Sequence, residues 1–211
     1  MSDNRRVLSV QIGDSTKQEL YYADASTGDR SLFQVPVRVG RLASQGCVFA
    51  GYNIKAFEVN FLRKFLGVRI QDTSVVDLRE MDAVKKLQEK TGKAFLELEE
   101  VCSAYGISTD HRRLLDEKVE LLKKKPEILA QANEAAKQLE AKGWTPDSSL
   151  KSALDRIATG NAVLESYQEF VQKNGAEDSV FYKYAVGDVI CEHRLLQALQ
   201  QGTASPQAQR V

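Results

Sequence analysis

The sequence predicts an α/β fold whose C-terminal half is predominantly helical. Three observations carry that expectation. Two short β-rich runs open the chain, RVLSVQIG at 6–13 and ELYYAD at 19–24. Between residues 46 and 106, strand-like apolar runs alternate with amphipathic segments that stop at glycines. Beyond residue 110 strand signals vanish and the apolar spacing is helical.

Taken in order, the two opening runs are joined by a polar link, which predicts adjacent antiparallel strands. A Gly/Asp turn, STGDR, follows. Residues 31–44 are ambiguous, because Pro36 and Gly40 interrupt β-branched residues and discourage a clean helix. GCVFA at 46–50 predicts a buried strand ending at Gly51. Residues 55–66 place Phe57, Phe61, Leu62 and Phe65 on one helical face, closed by Gly67. The run VRIQDTSVVDL has strand character and ends near Asp77. Helices follow over about 80–90, stopped by Gly92, and over 94–105, stopped by Gly106. Residues 111–125 and 127–142 predict helices separated by Pro126. After Gly143, TPDSS restarts the chain into helices at about 149–173 and 178–200. The polar tail is expected to be disordered. The expected domains are an α/β core over 1–120, a helical region over 121–200 and a tail over 201–211.

Composition narrows the function classes. Of 211 residues 43% are hydrophobic and 27% charged, enough for a buried core without staples. Lys+Arg and Asp+Glu both number 29, so the basic excess of a dedicated nucleic-acid binder is missing. Cys47, Cys102 and Cys191 are widely spaced among apolar neighbours, which predicts buried thiols rather than disulfides or a zinc site. The N-terminus lacks a secretory apolar core, and no run approaches a membrane span of about 18 residues. A cytoplasmic chain is expected. No phosphate-cradling glycine loop or serine elbow is present. His111 and His193 lie too far apart in sequence to suggest a metal pair.

The most informative stretch is 49–66, FAGYNIKAFEVNFLRKFL: a strand ending on Gly-Tyr-Asn, then a helix opening with Phe57-Glu58. It resembles the second motif of the DEDD 3′-5′ exonucleases, which have an RNase H-like fold of a mixed sheet flanked by helices. Asn53 and Phe57 match the motif, Glu58 stands where the family has Asp, and Leu62 is its trailing apolar residue. The resemblance implies that Glu58 is a ligand of Mg²⁺ or Mn²⁺ and that Asn53 and Phe57 lie by a nucleic-acid strand. Asp77, closing the next apolar strand, fits the family's habit as a further ligand. The plain alternative is a strand with its packing helix and a solvent-facing Glu58.

Two segments compete for the third motif. LEEVCSAYGISTDHRRLLDE supplies His111 and Asp116, the spacing of the branch in which His is the general base. VFYKYAVGDVICEHRLLQAL supplies Tyr184 and Asp188, the spacing of the branch in which Tyr orients the attacking water. The Tyr version, slightly preferred, requires a helical insertion between about 118 and 178. In either, the Asp would bind metal.

The family's first motif, Asp-x-Glu on the opening strand, is missing. If RVLSVQIG is that strand, Gln11 and Gly13 hold the two acidic positions, and neither binds a divalent ion as a carboxylate does. The preferred alternative is that the two opening runs are the second and third strands, with the first absent. The expectation is therefore a catalytically degenerate exonuclease-like domain that binds single-stranded nucleic acid or serves an assembly. Arg63, Lys64, Arg112 and Arg113 are its candidate phosphate contacts. One alternative is an active metal-dependent exonuclease completed by another chain or by upstream sequence. Another is a helical module that docks a protein partner or forms a homodimer through 111–200. No membrane partner is expected.

Overall fold

The computed structural model describes residues 8–14, 16–24 and 30–202. The chain is α/β, rich in helix with few strands. It divides into two compact units: Met1–Thr109 with Ala185–Val211, and Asp110–Tyr184. The division thus falls at 109/110 and 184/185, whereas the sequence suggested a boundary near 120.

The first unit opens with a hairpin of β1 (Ser9–Gly13) and β2 (Gln18–Tyr22), antiparallel, with Val10 opposite Tyr21 and Ile12 opposite Glu19. Its turn is tied by Asp14, whose Oδ1 accepts the backbone N–H groups of Thr16 (2.7 Å) and Lys17 (2.9 Å) and the Thr16 hydroxyl. Those bonds favour the charged form and hold the Asp14 carboxyl down at about 2. Residues 32–44, left undecided by the sequence, are helical. A 3₁₀ turn (Leu32–Gln34) capped by the Ser31 side chain leads into α1 (Val35–Ser44). Pro36 sits in the first turn, where its missing N–H has no intrahelical partner to lose.

β3 (Phe49–Gly51) and β4 (Val75–Asp77) are parallel and in register, Phe49 with Val75 and Gly51 with Asp77. Between them runs α2 (Glu58–Leu66), which Gly67 ends in the left-handed conformation at φ 65°. Most of the strand expected over 68–77 is irregular: Asp72–Ser74 is a 3₁₀ turn and only Val75–Asp77 pairs. α3 (Asp82–Thr91) stops at Gly92, and α4 (Leu98–Ala104) opens with a capping box between Glu97 and Glu100. Among the described residues the strands form two separate two-stranded sheets, not one mixed sheet.

Two clusters of buried residues lie in the core of this unit among the described residues. Tyr21, Val35, Val39 and Val68 are buried together with Val10, Ile12, Phe49, Leu62 and Leu66 packed against them. Beyond β3 and β4, Leu78, Val84, Leu96, Val101 and Cys102 pack with Cys191, Leu195 and Leu199 of the last helix, α8 (Val180–Gln201). Cys102 and Cys191 are buried thiols outside any disulfide, and Cys47 is half-buried.

The second unit contains α5 (Arg113–Leu122), α6 (Pro126–Glu140), α7 (Pro146–Gln172) and the first residues of α8. Pro126 and Pro146 start their helices from the first turn. Ala132, Ala136 and Ala153 are buried where α6 meets α7, their small side chains letting the backbones approach closely. α5 packs on α7 through Leu115, Val119, Ala158 and Ala162. Lys118 reaches from α5 to Glu169 (2.9 Å) and Glu165 (3.6 Å) of α7. Of the expected tail, Gln201 ends α8 and Gly202 follows, while 203–211 lie outside the described residues.

Candidate functional site

The sequence-predicted residues of the second motif gather at the ends of the parallel strands β3 and β4, the place where ligands collect in open α/β sheets. After Gly51 the chain turns through Tyr52 and Asn53, and Asn53 adopts φ 65°, a left-handed conformation that Asn tolerates better than most residues.

Asp77 holds that turn in place. Its Oδ1 accepts the backbone N–H of Asn53 at 2.9 Å and of Arg79 at 3.1 Å, and its Oδ2 accepts the N–H of Lys55 at 3.2 Å. The residue is buried at 5% exposure, so these bonds replace water that the carboxylate has lost. Asn53 is engaged as well: its Oδ1 accepts from the Arg79 guanidinium at 3.1 Å, and that guanidinium lies 4.4 Å from the centroid of the Phe95 ring. Tyr52 donates its backbone N–H to Glu192 of α8 at 2.9 Å and its hydroxyl to the Leu96 carbonyl. Burial pushes the Tyr52 phenol up to about 12.

Glu58 begins α2. It is a surface residue, yet its carboxyl is crowded enough by protein that desolvation pushes its pKa up from the ordinary 4.5. The Asp77 charge adds to that rise, and a bond from the residue's own N–H opposes it.

From the same turn a ladder of three phenylalanines runs along α2. Phe57, 58% exposed, stacks on Phe61 with centroids 5.5 Å apart and planes at 14°, and Phe61 meets Phe65 at 4.4 Å. No residue of α2 is fully buried. Leu62 and Leu66 of the same helix pack against the core, and Phe61 and Phe65 are half-buried like them, so Phe57 is the exposed end of the ladder. Arg63 and Lys64 are exposed on the same helix, with the Lys64 ammonium 5.2 Å from the Phe65 centroid.

The third-motif candidates are distributed differently. His111 and Asp116 both belong to the second unit, His111 in the 3₁₀ turn Asp110–Arg112 and Asp116 on the exposed side of α5. Tyr184 also belongs to the second unit, where the Arg112 guanidinium stands 5.6 Å from its ring centroid. Arg113 is exposed and paired with Glu117. Asp188 lies four residues on along α8 and belongs to the first unit with Glu58 and Asp77. The sequence reading missed Glu192 and Arg79, the partners of Tyr52 and Asn53. Arg79 left a weak signal, standing two residues beyond a strand-end Asp that caps a turn. Glu192 left none beyond its place one turn after Asp188.

The donor set does not suit a divalent metal. Among the described residues no three His, Cys, Asp or Glu side chains gather where they could hold an ion. Asp77 has both oxygens directed at backbone N–H groups. At the two positions suggested for the first motif, Gln11 bonds to Ser9 and Gly13 has no room for a side chain: an added Cβ would stand 2.7 Å from Val189 Cγ1. No helix among the described residues is long and apolar enough to cross a membrane. No family model matches the chain, and no curated protein or solved structure is significantly similar to it.

Proposed function

We propose that the chain is a non-catalytic, exonuclease-like domain that binds single-stranded nucleic acid along α2. The observation that carries this reading is the state of Asp77 and Asn53. The carboxylate that would bind metal is occupied by three backbone N–H groups, and the amide that would meet substrate is occupied by Arg79. A carboxylate used this way maintains a loop, and moving it onto an ion would release three donors at once.

Binding, by contrast, has a suitable surface. Exposed aromatic rings in series with cations beside them are what a single strand uses, bases stacking on the rings and phosphates meeting the charges. On α2 Phe57 is exposed and the half-buried Phe61 and Phe65 continue its stack, with the exposed Arg63 and Lys64 on the same helix. The zero net charge is compatible with such a local strip.

The test is fluorescence anisotropy with labelled single-stranded DNA and RNA over a range of salt, beside a degradation assay with Mg²⁺ or Mn²⁺. The expected result is salt-sensitive binding without shortening of the strand. Metal-dependent 3′-end trimming that Glu58→Ala abolishes would establish the active enzyme instead. Absence of any binding would leave the protein-docking role of the helical region.

A further inference from the structure

Among the described residues two that are not glycine adopt a positive φ, and both are asparagines: Asn53 at 65° and Asn174 at 54°. Asn174 stands just past the end of α7. There its N–H donates to the Val171 carbonyl at 3.0 Å, and the Gly175 N–H donates to the Phe170 carbonyl at 2.9 Å. These two bonds close a helix whose next residue is left-handed, a position that Gly fills best and Asn after it. Gly175 follows with φ 77°. Asn174 is exposed to water, whereas Gly175 and Phe170 are buried.

An asparagine followed by glycine carries its own reaction. The glycine backbone nitrogen attacks the asparagine Cγ and gives up its proton. An N–Cγ bond forms, the Cγ–Nδ2 bond breaks, and ammonia leaves with that proton. Water then opens the cyclic imide at either carbonyl, leaving Asp or the isomer whose main chain runs through the side-chain carbon. Glycine permits the attack because it has no Cβ to crowd the nitrogen. Water is the sole co-reactant.

The fold controls when this happens. In the closed turn the Gly175 proton is held by the Phe170 carbonyl inside the protein, so attack waits until that bond opens. Beyond the turn the two helices are held together by Phe181 of α8, whose ring packs on Phe170 (centroids 5.3 Å apart) and Tyr167 (5.1 Å). Asn53 is arranged differently. The branched side chain of Ile54 shields the next nitrogen, and Arg79 occupies the Asn53 amide oxygen at 3.1 Å. Asn60, Asn133 and Asn161 lie within helices and precede residues that carry a Cβ.

We propose that Asn174 is a site of spontaneous deamidation, gated by opening of the turn that ends α7. The product loosens the turn that gated it. A new carboxylate there stands at the negative end of the α7 dipole, in the same turn as Glu177 and Asp178. The isomer also adds a methylene to the main chain, which moves the Gly175 N–H out of register with Phe170. The mark therefore accumulates with the age of the molecule. It is independent of nucleic-acid binding on α2.

The experiment incubates the full chain at mildly alkaline pH and follows each asparagine by peptide mass spectrometry, beside the free peptide Gln-Lys-Asn-Gly-Ala-Glu treated alike. Amide exchange at Gly175, read by NMR under the same conditions, gives the open fraction of the turn. Asn174 should convert ahead of the other described asparagines and about tenfold or more slower than the peptide, at the peptide rate multiplied by the open fraction. In the converted chain Gly175 should exchange about tenfold faster. Asn174→Gly suits the left-handed position, so it should keep the fold and erase the conversion. Conversion as fast as in the peptide would overturn the proposal, as would a rate more than about tenfold away from the expected product. So would Asn53 converting as readily as Asn174, or unchanged Gly175 exchange after conversion.

Discussion

The carboxylate of Asp77 and the backbone of Asn53, 24 residues apart in sequence, are joined at 2.9 Å, and this bond fixes a turn that Asn53 enters with φ 65°. Asp77→Ala removes the acceptor for three N–H groups in a buried place. A loss of about 2–4 kcal/mol of stability is expected, because uncompensated donors retain most of their desolvation cost. Asp77→Asn, which keeps one acceptor oxygen, should lose less. Urea denaturation of both variants checks the order. Equal stability of Asp77→Ala and the parent chain would contradict the role assigned to this residue.

Gly13→Ala tests the close approach of β1 and α8. The added Cβ would lie 2.7 Å from Val189 Cγ1, well inside contact distance. Overpacking of this kind costs about 1–3 kcal/mol. Combining it with Val189→Ala clears the obstructing methyl group, so the double variant should be more stable than the two single losses added together. Strict additivity in thermal melts would place the clash elsewhere.

Glu58 gives a pH dependence with a definite sign. Its folded pKa is raised above 4.5, so the folded state holds this proton more tightly than the unfolded chain does. The stability this supplies is present below pH 4.5 and is lost as pH rises through the folded pKa. Glu58→Gln removes the ionisation. The variant should melt higher than the parent at neutral pH, and the difference should shrink on acidification to pH 4. A gap that instead widens in acid would mean the carboxylate is stabilised in its charged form.

Phe57→Ala addresses the ladder. The side chain is 58% exposed, so folding should change little while binding of a single strand weakens by about 1–3 kcal/mol per stacked base. Replacing Arg63 and Lys64 with Gln should flatten the salt dependence of binding by about one unit for each cation that had neutralised a phosphate. Anisotropy titrations at several salt concentrations separate the two effects. Unchanged affinity in all three variants would remove α2 from consideration.

Local chemistry made much of the first unit readable. Gly67 and Gly92 end their helices in the left-handed conformation, as their positions after amphipathic runs suggested. The hairpin followed from two β-rich runs flanking a polar link. α1 was obscured because Pro36 looks like a breaker until its place in the first turn is known. The strand before Asp77 was overextended because Val68 and Ile70 are apolar for packing against α1 and α2, not for pairing. At the site, residue types were visible and their partners were not. Nothing local to Asp77 shows that its carboxylate faces the N–H groups of residues 24 and 22 positions earlier. The bond from Tyr52 to Glu192 spans 140 residues and lay beyond any local pattern.

That long span also bears on the order in which the molecule forms as it leaves the ribosome. The second unit is one uninterrupted stretch, complete once Tyr184 has emerged, whereas the first waits for the C-terminal part of α8 to deliver Cys191, Leu195 and Leu199. Contiguous helical contacts close quickly, and contacts between distant segments close late. The stretch synthesised second is therefore expected to become protease-resistant first. Pulse proteolysis of stalled nascent chains should show the Asp110–Tyr184 fragment protected before the amino-terminal one.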